Sequence, residues 1–276
     1  MKTVLKAGFI GGGNMASALI GGMAGKVTAD SHIHVVDLNP DALASLASRF
    51  GVTTSSAMDT RLTECDVLVL AVKPQQIREV VTSLLPHIRE QLILSVAAGI
   101  RTTDLSRWMQ GYGRIVCTMP NTPSLIGQGV TGLFAMDGVT PEQKQTAQAI
   151  MQAVGMTLWV DSENLLDTVT AISGSGPAYV FYFIEALQEA GKALGLSENQ
   201  AAQLALATFR GASELAVQST DPVSVLREKV TSPGGTTFAA LSVMAESGLK
   251  DRIIAAAKAA AARSVELGEE FGKNAD

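Results

Sequence analysis

Short apolar runs alternate with helix-period segments through the first half of the chain, and the strand signal stops after Asp161. Val4–Ile10 reads as a buried strand, followed by a helix of small residues over Met15–Gly25. Ile33–Asp37, Val52–Thr54, Val67–Val72, Leu92–Ala97 and Arg114–Met119 read as further strands, and Val130–Met136 and Met156–Val160 add two more. Helical patterns separate them at Pro40–Phe50, Gln75–Leu85 and Thr103–Met109. The run Val67–Val72 is apolar at every position, as a strand covered on both faces must be. Thr140-Pro141-Glu142-Gln143 supplies an N-cap, a proline at the first helical position and a glutamine three residues on, which predicts a helix start. This alternation predicts a doubly wound, largely parallel α/β sheet over residues 1–161. Beyond it, helices are expected over Pro177–Leu194, from the capping box Ser197–Gln200 to about Gln218, after Asp221-Pro222, after Pro233-Gly234-Gly235, and from Leu249 to about Glu270. Residues 162–276 therefore read as an all-α domain.

Composition sharpens this picture. With 276 residues, 47% hydrophobic, 17% charged and 5% aromatic, the chain builds its cores from small aliphatic side chains, and its length suits two domains. The net charge of −5 comes with no basic patch, which makes nucleic acid and anionic membranes poor partners, and none is expected. The long uncharged stretch Ile115–Met136 is broken by Pro120, Asn121, Pro123 and Gln128, so it is no membrane span. Cys65 and Cys117 fit no metal or redox spacing. They read as reduced thiols of a cytoplasmic protein without a metal site.

The sharpest chemical signal is Gly11, Gly12, Gly13, Asn14, Met15 and Ala16, a G-x-G-x-x-A placed after a strand and opening a helix. That context is the Rossmann fingerprint. The first glycine makes the tight turn and the second lets backbone approach a pyrophosphate. The small third residue allows close helix–strand packing, and the helix N-terminus faces the phosphates. Asp37 ends the second strand, where a carboxylate can hold both ribose hydroxyls and repel a 2′-phosphate, which leans toward NADH. The competing reading of Asp37 is a cap on the turn through Asn39-Pro40. Ala71, Val72, Lys73 and Pro74 close the central strand at the same sheet edge, and Ala97, Ala98 and Gly99 close the next, where small residues admit a nicotinamide. Asn121, between two prolines, either orients a ligand or satisfies loop backbone.

In the helical half, Ser173–Pro177, which includes Ser175, and the run Ser232, Pro233, Gly234, Gly235, Thr236, Thr237 each open a helix with hydroxyls and backbone N–H groups. Such an end binds a carboxylate without a cation, although ordinary capping uses the same residues. Two of them in one domain point to a small anionic substrate. The three histidines all lie in the first half, and no lysine falls between Lys144 and Lys192. Reducing a carbonyl calls for an acid to protonate the alkoxide. A protonated iminium needs none, so C=N reduction fits better.

Taken in order, GFIGGGNM, LAVKP, AAG, MPNTP, SGSGPAY and SPGGTT resemble pyrroline-5-carboxylate reductases over essentially the whole chain. The resemblance implies reduction of 1-pyrroline-5-carboxylate to L-proline by NADPH or NADH, the last step of proline biosynthesis. It also implies a helical substrate and dimerisation domain, hence a homodimer that can assemble further into a decamer. Carried over, Gly11–Ala16, Ala71–Pro74 and Ala97–Gly99 become the cofactor site. Ser232, Gly234, Gly235, Thr236 and Thr237 become the substrate site, with Thr237 on the ring nitrogen. Asp37-Leu38 departs from the residues many members use with NADPH. A hydroxyacid dehydrogenase is disfavoured by the missing lysine, and a non-catalytic dinucleotide sensor has no need of SPGGTT.

Overall fold

The computed structural model describes residues 4–273, so positions 1–3 and 274–276 of the two expected domains lie outside the described residues. Eight strands form one sheet: β1 (Ala7–Ile10), β2 (Ile33–Val36), β3 (Thr53–Ser55), β4 (Val67–Leu70), β5 (Leu92–Ser95), β6 (Ile115–Met119), β7 (Gly129–Ala135) and β8 (Gly155–Trp159). Their order is β3-β2-β1-β4-β5-β6-β7-β8. All neighbours are parallel except β6 and β7, which pair antiparallel. Only a 3-10 turn, Thr122–Ile126, separates those two strands, too little chain for the crossover that a parallel pair requires.

The helices are α1 (Asn14–Met23), α2 (Pro40–Phe50), α3 (Ile77–Leu84), α4 (Thr102–Trp108), α5 (Pro141–Gln152), α6 (Leu165–Val169), α7 (Gly176–Ala193), α8 (Glu198–Gln218), α9 (Val223–Lys229), α10 (Thr236–Glu246) and α11 (Leu249–Lys273). Strand alternation feeds both faces of the sheet. Phe9, Val35, Val69 and Leu94 pack with Leu19 and Ile20 of α1 and Ile150 of α5. Ile10, Leu68, Leu70 and Ile93 pack with Ile77 and Val81 of α3 and Leu105 of α4. The chain winds outward from β1 through β2 to β3, then returns to place β4 on the other side of β1. The crevice where ligands bind such sheets is therefore at the carboxyl ends of β1 and β4.

Two compact units emerge: one runs to Ser175 and resumes at Ala260, and the other is Gly176–Ala259. The break thus falls later than the expected Asp161, because β8 is followed by α6 and a π-helical turn, Thr170–Gly174, that belong with the sheet. In the helical unit, α8 opens on the expected capping box of Ser197 and Gln200. The expected cap at Asp221-Pro222 is different: Pro222 is the N-cap without a side-chain bond, and the Asp221 carboxylate pairs with Lys229 instead. Among the described residues, no helix is long and apolar enough to cross a membrane.

Candidate active site

The fingerprint sits where β1 turns into α1. Gly11 has φ +102°, and a Cβ there would stand 2.5 Å from the Ala71 carbonyl oxygen. The glycine is thus dictated by Ala71 at the end of β4, and the two motifs form one structure. A Cβ on Gly13 would meet no atom within 4 Å, so its outer side is open space. Ala16 is fully buried against the core, which leaves no room for a larger residue. No side chain caps α1, and the first-turn N–H groups of Asn14, Met15 and Ala16 have no acceptor among the described residues. An anion at this end would meet the positive pole of the helix.

Asp37 is half-buried at the end of β2 and accepts two backbone N–H bonds, from Gly12 (2.6 Å) and Asn39 (2.7 Å). It ties the fingerprint to the strand end. Capping of α2 falls to Asn39, whose Oδ1 accepts from Asp41 and Ala42. Beside Asp37 lies a cavity of about 320 Å³ walled by Leu38, Ser56, Ala57, Met58, Gln76 and Glu79, among others. None of its lining residues is cationic. The wall over Ser56–Met58 escaped sequence reading. Its position one residue beyond a strand that ends at the same edge was the available signal. Lys73 is exposed and extended, as Pro74 after it requires, while Val72 lines the same cavity.

Two other motifs have structural duties at this edge. Gly99 (φ +77°) was expected to clear space for a nicotinamide, yet the atoms nearest its missing Cβ belong to Phe271 and Gly268 of α11. Its positive φ accounts for the glycine, and α11 packs against it at ordinary van der Waals distance. Ala97 is buried and Ala98 is exposed. Asn121 is buried with both ends of its amide engaged: Nδ2 donates to the Ser173 carbonyl (3.0 Å) and Oδ1 accepts from Val130 N (2.9 Å). The MPNTP loop therefore holds the π-turn of the SGSGP segment, and Met119 packs where a side chain on Gly174 would go. Ser175 closes that turn by donating its N–H to the Thr170 carbonyl at 2.7 Å.

In the helical unit, Gly235 caps α10 and Gly234 has φ +70°. A Cβ on Gly235 would stand 2.5 Å from the Ser232 hydroxyl, so a larger residue there would turn that hydroxyl aside. Gly234 and Gly235 were expected to offer N–H groups to the substrate. For Gly235 the structure corrects this, because its N–H donates to the Ser232 carbonyl at 3.0 Å and closes the turn. The donors left without acceptors among the described residues are the N–H groups of Gly234, Thr236, Thr237 and Phe238, beside the exposed Ser232 and Thr236 side chains and half-buried Thr237.

Neither cysteine is poised for chemistry. Both are unpaired and buried. Burial, reinforced by Asp66, pushes the Cys65 thiol up to about 12, and burial also raises that of Cys117.

Comparison with known proteins agrees with this geometry. Residues 163–267 match the pyrroline-5-carboxylate reductase dimerisation family, and residues 6–99 match the family described as NADP oxidoreductase coenzyme F420-dependent. The chain is 41% identical to pyrroline-5-carboxylate reductase of Pseudomonas aeruginosa, with 96% of this chain and 97% of the relative aligned. It is 40% identical to that of Pasteurella multocida, over 95% and 98% of the two chains. A solved pyrroline-5-carboxylate reductase from Coxiella burnetii superimposes with a TM-score of 0.91 at 40% identity, over 96% and 99% of the chains. The Plasmodium falciparum enzyme with NADP bound gives 0.84 at 30% identity, over 96% and 98%. The chain belongs to the pyrroline-5-carboxylate reductase family.

Proposed function

We propose that the N-terminus of α1 holds the pyrophosphate of a nicotinamide dinucleotide and that the N-terminus of α10 holds the carboxylate of 1-pyrroline-5-carboxylate, which this enzyme reduces to L-proline. The carrying observation is the pair of helix ends with unfilled N–H groups. At α1 the residues fit the cofactor: Gly13 faces open space, and no acidic residue lies in the first turn. NADH or NADPH, when bound, supplies the hydride that the imine carbon accepts. Gly234, Thr236, Thr237 and Phe238 would offer their N–H groups to the substrate carboxylate, helped by the Ser232 and Thr236 hydroxyls. The Thr237 hydroxyl would hold the ring nitrogen. The ring nitrogen of the iminium enters protonated and keeps its proton as the C=N π pair becomes its lone pair, so no side chain of this chain must ionise. These groups act by position and by fixed dipoles.

Asp37 would hold the ribose diol with the lone pairs its two N–H partners leave free. With Glu79 also lining that cavity and no cation there, NADH should serve at least as well as NADPH. Ala71–Pro74 and Ala97–Gly99 complete the cofactor side in this reading, and Asn121 and Ser175 shape the edge from behind. In this reading the enzyme works in the cytoplasm as a homodimer able to form decamers, without a nucleic-acid or membrane partner. Supporting the dimer, α9, α10 and the start of α11 leave an apolar groove of about 790 Å³ whose lining includes Phe238, Leu241, Met244, Ile253 and Ile254. The test is proline-dependent reduction of NAD⁺ and NADP⁺ at high pH with the wild type and Asp37→Ser. Turnover with NAD⁺ at least equal to that with NADP⁺, shifting toward NADP⁺ in the variant, is expected. A strong wild-type preference for NADP⁺ would remove Asp37 from the ribose site.

A further inference from the structure

The sheet unit contains a buried polar node that the reaction does not use directly. Asp167 of α6 is only 6% exposed, yet its carboxylate reaches two separate segments. Oδ2 accepts from Arg101 Nη2 at 2.7 Å, and Oδ1 accepts from the Ser264 hydroxyl, also 2.7 Å away and equally buried. Arg101 ends the loop that leaves β5 through Ala97, Ala98 and Gly99, and Ser264 lies on α11. Four residues before Asp167, Glu163 takes the next step of the loop: its two oxygens accept the Thr102 N–H (2.6 Å) and the Thr102 hydroxyl (3.1 Å). Glu163 thus supplies the N-terminus of α4 with the cap its own sequence lacks, while Asp167 holds the Arg101 side chain just before it.

The far side of the loop is shaped to match. Ser264, Gly268 and Gly272 recur every four residues along α11, so they share one face. A Cβ on Gly268 would stand 3.2 Å from Arg101 Nε and 3.3 Å from the Gly99 carbonyl oxygen. On Gly272 it would stand 2.8 Å from the Asp104 carboxylate. The Gly272 carbonyl in turn accepts from Arg107 Nη2 at 2.9 Å. The loop is therefore held at Gly99 and Arg101 between α6 and α11, and α11 continues along α4 at Asp104 and Arg107.

We propose that Asp167 is a positioning residue for this reductase: by clamping Arg101 to Ser264 it fixes the backbone of Ala97–Gly99 at the carboxyl edge of the sheet. The functional half of this inference rests on the assignment of Ala97–Gly99 to the cofactor side; the clamp itself does not. Asp167 touches neither reacting atom nor cofactor. Its effect on turnover passes wholly through the loop it holds, which must be in place before binding for the site to be preorganised.

The test is Asp167→Asn in the full-length enzyme, which keeps the shape but replaces the Arg101 acceptor with an amide. Ser264→Ala, which leaves the ion pair standing, serves as a milder second variant. In the ligand-free protein, amide hydrogen exchange over 97–102 should quicken by about tenfold or more while β1 and β4 stay protected. The KM for the dinucleotide should rise roughly tenfold, with the KM for 1-pyrroline-5-carboxylate little changed. Unchanged exchange over 97–102 in both variants overturns the clamp. Equal loss of protection in β1, β4 and the loop overturns it too, since that is what a merely structural residue gives. A mobilised loop with unaltered dinucleotide KM overturns the positioning role and removes Ala97–Gly99 from the cofactor site, leaving the rest of the proposed function untouched.

Discussion

The two units of this chain are both apolar, but they use apolar residues in opposite ways. Every position of β1, β2, β4 and β5 is buried within the sheet unit. Across Gly176–Ala259 the only buried residues are Ala201 and Ala205, and α7 has none at all, although it carries Tyr179, Val180, Phe181, Tyr182, Phe183 and Ile184 in succession. Phe181 is 65% exposed and Tyr182 71%. A helix hydrophobic on nearly all sides cannot remain in water, and exposed patches of this kind mark association surfaces. The sheet unit thus encloses its own core, whereas the helical unit holds half of one. Its match to a dimerisation family agrees with that division.

The contrast can be broken at either end. The largest effect is expected from Phe181→Glu. A charge placed on the unpartnered face of α7 should weaken self-association by roughly thirtyfold or more, as loss of a central aromatic anchor does. Sedimentation or light scattering across a dilution series would read it, and an unchanged dimer would take α7 out of the interface. In the sheet unit the counterpart is Leu68→Ala. Leu68 is fully buried in β4, so the substitution should cost about 2–5 kcal/mol of stability through lost burial and the cavity left behind. The dissociation constant of the dimer should stay as it was. If Leu68→Ala instead altered association while leaving denaturation untouched, the division between a self-sufficient unit and a dependent one would be wrong.

Much of this was legible in the amino-acid order because local chemistry decided it. The apolar runs of β1, β4 and β5 have no other use than a covered parallel sheet. The capping boxes at Thr140 and Ser197 formed with both reciprocal bonds in place. The first fingerprint glycine was readable for the same reason, since a turn that brings Gly11 against the Ala71 carbonyl admits nothing larger. What escaped was set by distant partners. The segment Leu165–Gly174 mixes β-branched residues with glycine and shows no clear period, yet it is helical because Asp167 and Val169 find partners in α11 and against Gly132 of β7. Gly99 looks like a ligand-facing position in sequence, whereas its positive φ calls for glycine and α11 packs against it. Asp221 illustrates the converse: it stands at a plausible cap, and a lysine eight residues on takes it instead.

The central claim is that α10 presents the substrate site through Thr237 and its neighbouring N–H groups, and the most direct measurement is steady-state kinetics of Thr237→Ala paired with dinucleotide binding. Losing one positioned hydrogen bond of this kind costs about 1–3 kcal/mol. That predicts a fall in kcat/KM for 1-pyrroline-5-carboxylate of roughly tenfold to a hundredfold, with NADH affinity nearly unchanged. Wild-type turnover in Thr237→Ala would contradict the account, and a matching loss of NADH affinity would assign the SPGGTT segment to the nucleotide instead.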